Sequence, residues 1–122
     1  MPEHESTRRK VAVAQVSELP VGASKRIQLN GRSIGIYNVK GTFVAILNFC
    51  PHAWAPVCEG RVTGTTLPSA PGEYQWGRAG EILACPWHGW EFDLLSGQCL
   101  SDKRRLHRYP LSIEDDVIYI KV

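Results

Sequence analysis

Long apolar runs are missing from this 122-residue chain. Nowhere do enough apolar residues follow one another to cross a bilayer. The opening stretch, MPEHESTRRK, is polar throughout and lacks the apolar region of a secretory leader. These two absences predict a cytoplasmic protein with no membrane partner. An excess of one charge is also missing: 14 Lys and Arg stand against 12 Asp and Glu, intermixed, for a formal net charge of +2. That is too little for a protein that grips nucleic acid through its phosphates. There is no nucleotide-binding glycine motif, no internal repeat and no stretch of sustained helical periodicity between good caps. At 43% apolar residues, the chain has room for one compact core and none for a separate substrate domain.

Where helices are absent, strands are signalled. Residues 1–10 carry no apolar periodicity and read as a flexible polar tail, leaving 11–122 as a single domain. From Val11 onward, apolar and polar side chains roughly alternate in short β-rich runs, as half-buried strands require. The runs are Val11 to Val16, Arg26 to Leu29, Ser33 to Val39 and Thr42 to Leu47. Asn30-Gly31 is a two-residue hairpin signal, because a type I′ turn needs positive φ at both positions. Lys40-Gly41 turns the chain again. Further on come Ile82 to Ala84, a run around Glu91 to Asp93 closed by Ser96-Gly97, and a final hairpin of Leu111 to Glu114 with Val117 to Val122 across Asp115-Asp116. Between them, Thr63 to Gly72 is rich in breakers and reads as an exposed loop, with Glu73 to Trp76 pairing with Glu81 to Ala84. The fold class is all-β, a sandwich or small barrel of short antiparallel strands.

Four cysteines without an export signal point to metal binding or buried thiols rather than disulfides. Two segments stand out, Phe49-Cys50-Pro51-His52 and Ala84-Cys85-Pro86-Trp87-His88-Gly89-Trp90, in loops near 48–60 and 84–93. Each follows a strand and offers one thiolate and one imidazole at a hairpin tip, where side chains from two loops converge. Soft thiolates stabilise ferric iron, and neutral imidazoles leave a site less negative than four cysteines would. The set Cys50, His52, Cys85 and His88 also satisfies a tetrahedral zinc site. Structural zinc sites, however, usually draw both cysteines from one element and both histidines from another, whereas here each loop gives one of each.

The pattern C-P-H, then C-P-W-H-G-W-E-F-D-x-x-S-G, resembles the two-loop signature of Rieske [2Fe–2S] proteins, above all the soluble ferredoxins and the oxygenase Rieske domains. The likeness extends to Gly60, Phe92-Asp93, Ser96-Gly97 and Tyr109-Pro110-Leu111, over most of residues 11–122. It implies a Rieske fold of small antiparallel sheets with a cluster-binding subdomain made of the two hairpin-tip loops. It implies one [2Fe–2S] cluster, with Cys50 and Cys85 on the inner iron and His52 and His88 on the outer iron at the surface. It further implies a one-electron carrier rather than a self-sufficient enzyme, taking an electron from a reductase and passing it to a terminal oxygenase. The competing implications are a Rieske small subunit of a larger oxidoreductase, such as a nitrite reductase, and a zinc-bearing interaction module.

The remaining candidates carry smaller expectations. Trp54, Trp87 and Trp90 shield the site, and Trp54 stands where many relatives carry a small residue or glycine. Cys58 and Cys99 have no histidine at ligand spacing and read as buried thiols. Ala55 and Trp87 stand where respiratory Rieske proteins place a loop-bridging disulfide, so none is expected. The same proteins carry a serine and a tyrosine hydroxyl near the second loop, where this chain has Trp90 and Phe92. The basic stretch Lys103 to Arg108, with His107, reads as a solvated face. The 61–80 region is longer than in compact relatives. With the whole chain near neutral, docking is expected to rest on the apolar loop tip more than on long-range steering.

Overall fold

The computed structural model describes residues 10–51, 55–67, 75–87 and 90–121, with backbone alone at 65–67 and 75–76. Ten strands form three small antiparallel sheets among them, as the sequence predicts for the class. Backbone contacts divide the chain into two units, one made of 1–47 with 108–122 and one of 48–107.

In the first unit, β2 (Ser24–Leu29), β3 (Arg32–Val39), β4 (Thr42–Leu47) and the two-residue β8 (Arg108–Tyr109) make one sheet. Asn30 and Gly31 at φ 53° and 78°, and Lys40 and Gly41 at φ 53° and 97°, close its two hairpins as their turn chemistry demands. A second sheet is ordered β1 (Lys10–Gln15), β10 (Val117–Lys121), β9 (Leu111–Glu114). Asp115 and Asp116, both at positive φ, turn its hairpin. Lys10 opens β1 and ion-pairs with Glu114, so the predicted tail is one residue too long there; residues 1–9 lie outside the described residues. Ile34, Ile36, Ala45, Tyr109, Ile118 and Ile120 build the core of this unit. Asn38, its buried polar side chain, donates to the Leu19 carbonyl at 2.7 Å and accepts from the Gly41 amide at 2.7 Å, so both ends are satisfied.

The second unit is built on β5 (Arg61–Leu67), β6 (Gln75–Ala84) and β7 (Glu91–Asp93), in that order. Here two expectations fail. Thr63 to Leu67 is strand rather than loop, and Gln75 to Ala84 is one continuous strand, so Gln75-Trp76 does not fold back on Glu81 to Ala84. The segment between the two expected partners is absorbed as a bulge: Arg78 and Gly80 take φ 57° and 85°, and the β5–β6 register shifts between Thr63 and Thr65. The rest of the expected loop, residues 68–72, lies outside the described residues. Ile82, Leu83, Phe92 and Leu94 are fully buried in this unit, which gives both expected cysteine loops a rigid base.

Candidate metal centre

Both candidate loops emerge from the second unit. Cys50 follows β4 and Cys85 follows β6, and they are 0% and 3% exposed. Each loop is pinched by an amide that cannot be satisfied by water at that depth. The Cys50 N–H donates to the Ala55 carbonyl at 2.8 Å, and the Cys85 N–H to the Trp90 carbonyl at 2.7 Å. The first loop is further tied by Asn48, whose Oδ1 accepts from the Cys58 amide at 2.8 Å. A short 3-10 turn, Val57–Glu59, then leads through Gly60 into β5.

The two cysteines converge: the Cys50 side chain is near enough to act on the Cys85 thiol. The Cys85 thiol is pushed up to about 11, by burial first and by the neighbouring Cys50 as well, while the Trp87 backbone, hydrogen-bonded to its sulfur, pulls the other way. A buried thiol that resists ionising on its own, with a second cysteine beside it, suits a cationic partner, which supplies the charge that makes a thiolate. A backbone donor at sulfur adds to the fit, because it stabilises sulfur-borne negative charge. His52 and His88 lie outside the described residues, as do Ala53, Trp54 and Gly89. Of the tryptophans that are described, Trp90 is half-buried and Trp87 is 52% exposed. Pro86 is exposed beside it and Phe49 is 42% exposed. Cys58 and Cys99 are buried, and none of the four cysteines is in a disulfide, as expected.

A polar triad behind the second loop escaped the sequence reading. Arg78, set in the bulge of β6, donates through Nε to Glu81 at 3.0 Å and reaches Asp93 through Nη2 at 2.9 Å. Asp93 Oδ1 also accepts from the Leu95 amide at 2.9 Å, and the Gly97 amide donates to the Asp93 carbonyl. Asp93 thus joins β6, β7 and the Ser96-Gly97 turn. Burial alone raises the carboxyl's pKa, but Arg78, the Leu95 amide and Ser96 outweigh it and hold it below its usual 3.8. A depressed carboxylate adds stability above the unfolded-state value, and that stability is lost as pH falls through the folded-state value. Urea midpoints followed from pH 7 to below 3.8 should therefore fall less steeply in Asp93→Asn than in the wild type. Parallel curves would show that the triad contributes no pH-dependent stability.

Among the described residues, no helix is long and apolar enough to cross a membrane. The family model for the Rieske [2Fe-2S] domain matches residues 9–110. The ferredoxin component of the naphthalene 1,2-dioxygenase/salicylate 5-hydroxylase systems of Ralstonia sp is 25% identical over 118 residues, covering 95% of this chain and 98% of the relative. The Sphingomonas yanoikuyae B1 ferredoxin superposes with a TM-score of 0.68 at 26% identity, covering 93% of this chain and 99% of that one. A chain from the complex of reduced oxygenase and oxidized ferredoxin in carbazole 1,9a-dioxygenase has a TM-score of 0.70 at 21% identity, with 92% of each chain covered. Two buried cysteines meeting at the ends of closed loops, on three small antiparallel sheets, are what such a domain needs, and the chain belongs to the Rieske [2Fe–2S] domain family, whose cofactor is a [2Fe–2S] cluster.

Proposed function

We propose that the protein is a one-electron carrier of a multicomponent oxygenase system, with Cys50, His52, Cys85 and His88 as the cluster ligands and 11–122 acting as one Rieske domain. Its donor is a reductase and its acceptor a terminal oxygenase, in the cytoplasm. The observation that carries the reading is the buried Cys50–Cys85 contact at the two family-type loops. The cluster supplies the site that gains and loses the electron. The chain's own residues would hold it: the two cysteines and the two histidines as ligands, with the Cys50 and Cys85 amides keeping the loops closed. Anaerobically purified protein should show two irons and two acid-labile sulfides per chain from the [2Fe–2S] formula, with the matching visible and EPR spectra; zinc without sulfide would end the reading. On size-exclusion chromatography a carrier elutes without a stoichiometric partner, whereas a subunit of a larger oxidoreductase co-elutes with it.

The midpoint potential follows from what stands beside the second loop. Donors aimed at the cluster or its cysteine sulfurs stabilise the reduced state and raise the potential. Trp90 and Phe92 bring no hydroxyl, and Phe92 is fully buried, so water does not replace one there. The expected midpoint is toward the low end of the Rieske range, about −150 mV, against roughly +300 mV at the high end. Protein-film voltammetry at pH 7 measures it. A value above zero would contradict the argument, and Phe92→Tyr should move the midpoint upward.

A further inference from the structure

The basic stretch that reads as a solvated face in the sequence is held in a built turn beside the second cysteine loop. Phe92 and Cys99 form one isolated antiparallel bridge and Gln98 and Arg105 another. Gln98 clamps the turn from both ends of its amide: Nε2 donates to the Asp102 carbonyl at 2.8 Å, and Oε1 accepts from Arg105 Nε at 2.9 Å. Asp102 Oδ1 accepts the Arg104 amide at 2.9 Å, and the Cys99 amide donates to the Arg104 carbonyl at 3.0 Å. Leu106 is buried behind it at 3% exposure. Lys103, Arg104 and Arg105 are therefore exposed at the tip of an ordered turn.

Arg104 also meets the second cysteine loop, at Trp90. Its guanidinium carbon lies 5.6 Å from the centre of the Trp90 ring, a stacking geometry that a planar cation favours. The backbone carbonyl of the same Trp90 accepts the Cys85 amide. Trp90 thus meets both Arg104, through its ring, and Cys85, through its main chain. The carboxylate against this cluster within the turn is Asp102, 4.0 Å from Arg104 Nε, and half-buried Glu91 on β7 is tied to the turn's flank through its carbonyl, which accepts the Leu100 amide. Three exposed cations against one carboxylate within the turn leave it positive, although the chain as a whole is close to neutral. Near neutrality of the whole chain argued for docking without steering. At physiological salt, charges act over about 8 Å, so the local distribution decides.

We propose that the 98–105 turn is a docking surface for an acidic patch on the electron-accepting partner, beside the second cysteine loop; this rests on the carrier reading above. Small oxidants of opposite charge report the field at that point without any partner in hand. In stopped-flow, the reduced holoprotein gives one electron to hexacyanoferrate(III), an anion reduced to the iron(II) complex, or to tris(phenanthroline)cobalt(III), a cation reduced to the cobalt(II) complex. The wild-type rate with the anion should fall as salt is added. At low salt, Lys103→Gln with Arg104→Gln and Arg105→Gln should lower that rate about tenfold and raise the rate with the cation. A change in driving force would instead move both rates the same way. Lys103→Glu, which breaks none of the bonds described within the turn, should shift both rates in the same opposed sense even if the triple variant folds poorly. Rates that stay unchanged with both oxidants, or that move together, in a holoprotein with a normal visible spectrum would overturn the docking proposal and leave the carrier reading intact. Protein without iron and sulfide would overturn both.

Discussion

Cys85→Ser is expected to yield protein with no [2Fe–2S] spectrum and a thermal midpoint well below the wild type. The reason is linkage: a metal site that exists only in the folded chain contributes its binding free energy to folding. Serine keeps the size but offers a hard, poorly ionised oxygen in place of a soft thiolate. Cys50→Ser, His52→Ala and His88→Ala should lose the cluster as well. The discriminating controls lie in the same unit. Cys99→Ser removes a buried sulfur that lies 3.8 Å from the Ser101 hydroxyl. At Cys58 it is the backbone amide that bonds Asn48, and serine retains that amide. Both controls should keep full iron and sulfide, at a stability cost of about 1 kcal/mol for a polar hydroxyl in a buried position. If either control loses iron while Cys85→Ser retains it, the ligand assignment is wrong.

What could be read from the sequence was whatever is decided locally. Asn30-Gly31, Lys40-Gly41 and Asp115-Asp116 each turn the chain because neighbouring residues accept positive φ, and a dipeptide carries that information. The Cys and His spacing was equally local, since each loop brings its own pair. Strand β8 escaped notice because two residues have no periodicity; they are strand only by pairing with Ala45 and Ile46 of β4. Strand β6 was misjudged because a glycine on either side of Arg78 and Ala79 looks like an interruption. Only the cross-strand partner in β5, together with the Arg78 ion pairs, shows it to be a bulge within one strand. The stacking of Arg104 on Trp90 joins residues fourteen positions apart, and nothing in a charge run announces which ring it will find. Gly60 is intermediate: its place in the family pattern was visible, but the physical need for glycine was not.

That need is spatial rather than conformational, and it makes Gly60→Ala the other substitution with a large expected effect. Gly60 has φ −76° and ψ 177°, extended backbone that any residue adopts. Yet a Cβ there would stand 1.8 Å from the carbonyl oxygen of Ala84, 2.9 Å from its carbon and 3.1 Å from the Val57 oxygen. All three neighbours are backbone, so no rotamer change relieves the clash. The next residue, Arg61, pairs with Ala84 to start the β5–β6 ladder, and Ala84 precedes Cys85. Making room means parting the strands where the second cysteine loop is anchored. Overpacking against flexible side chains costs about 1–3 kcal/mol; against fixed backbone the cost should reach or pass the upper end, with displacement of Cys85 lowering iron content as well. Gly31→Ala separates the two kinds of glycine requirement. At φ +78° with nothing within 4 Å of its Cβ, alanine there pays only backbone strain, about 1–2 kcal/mol, and the cluster should stay complete. Chemical denaturation with iron and sulfide counted on each variant measures both terms, and a Gly60→Ala protein with wild-type midpoint and full iron would show that the approach of Gly60 to Ala84 does not hold the second loop.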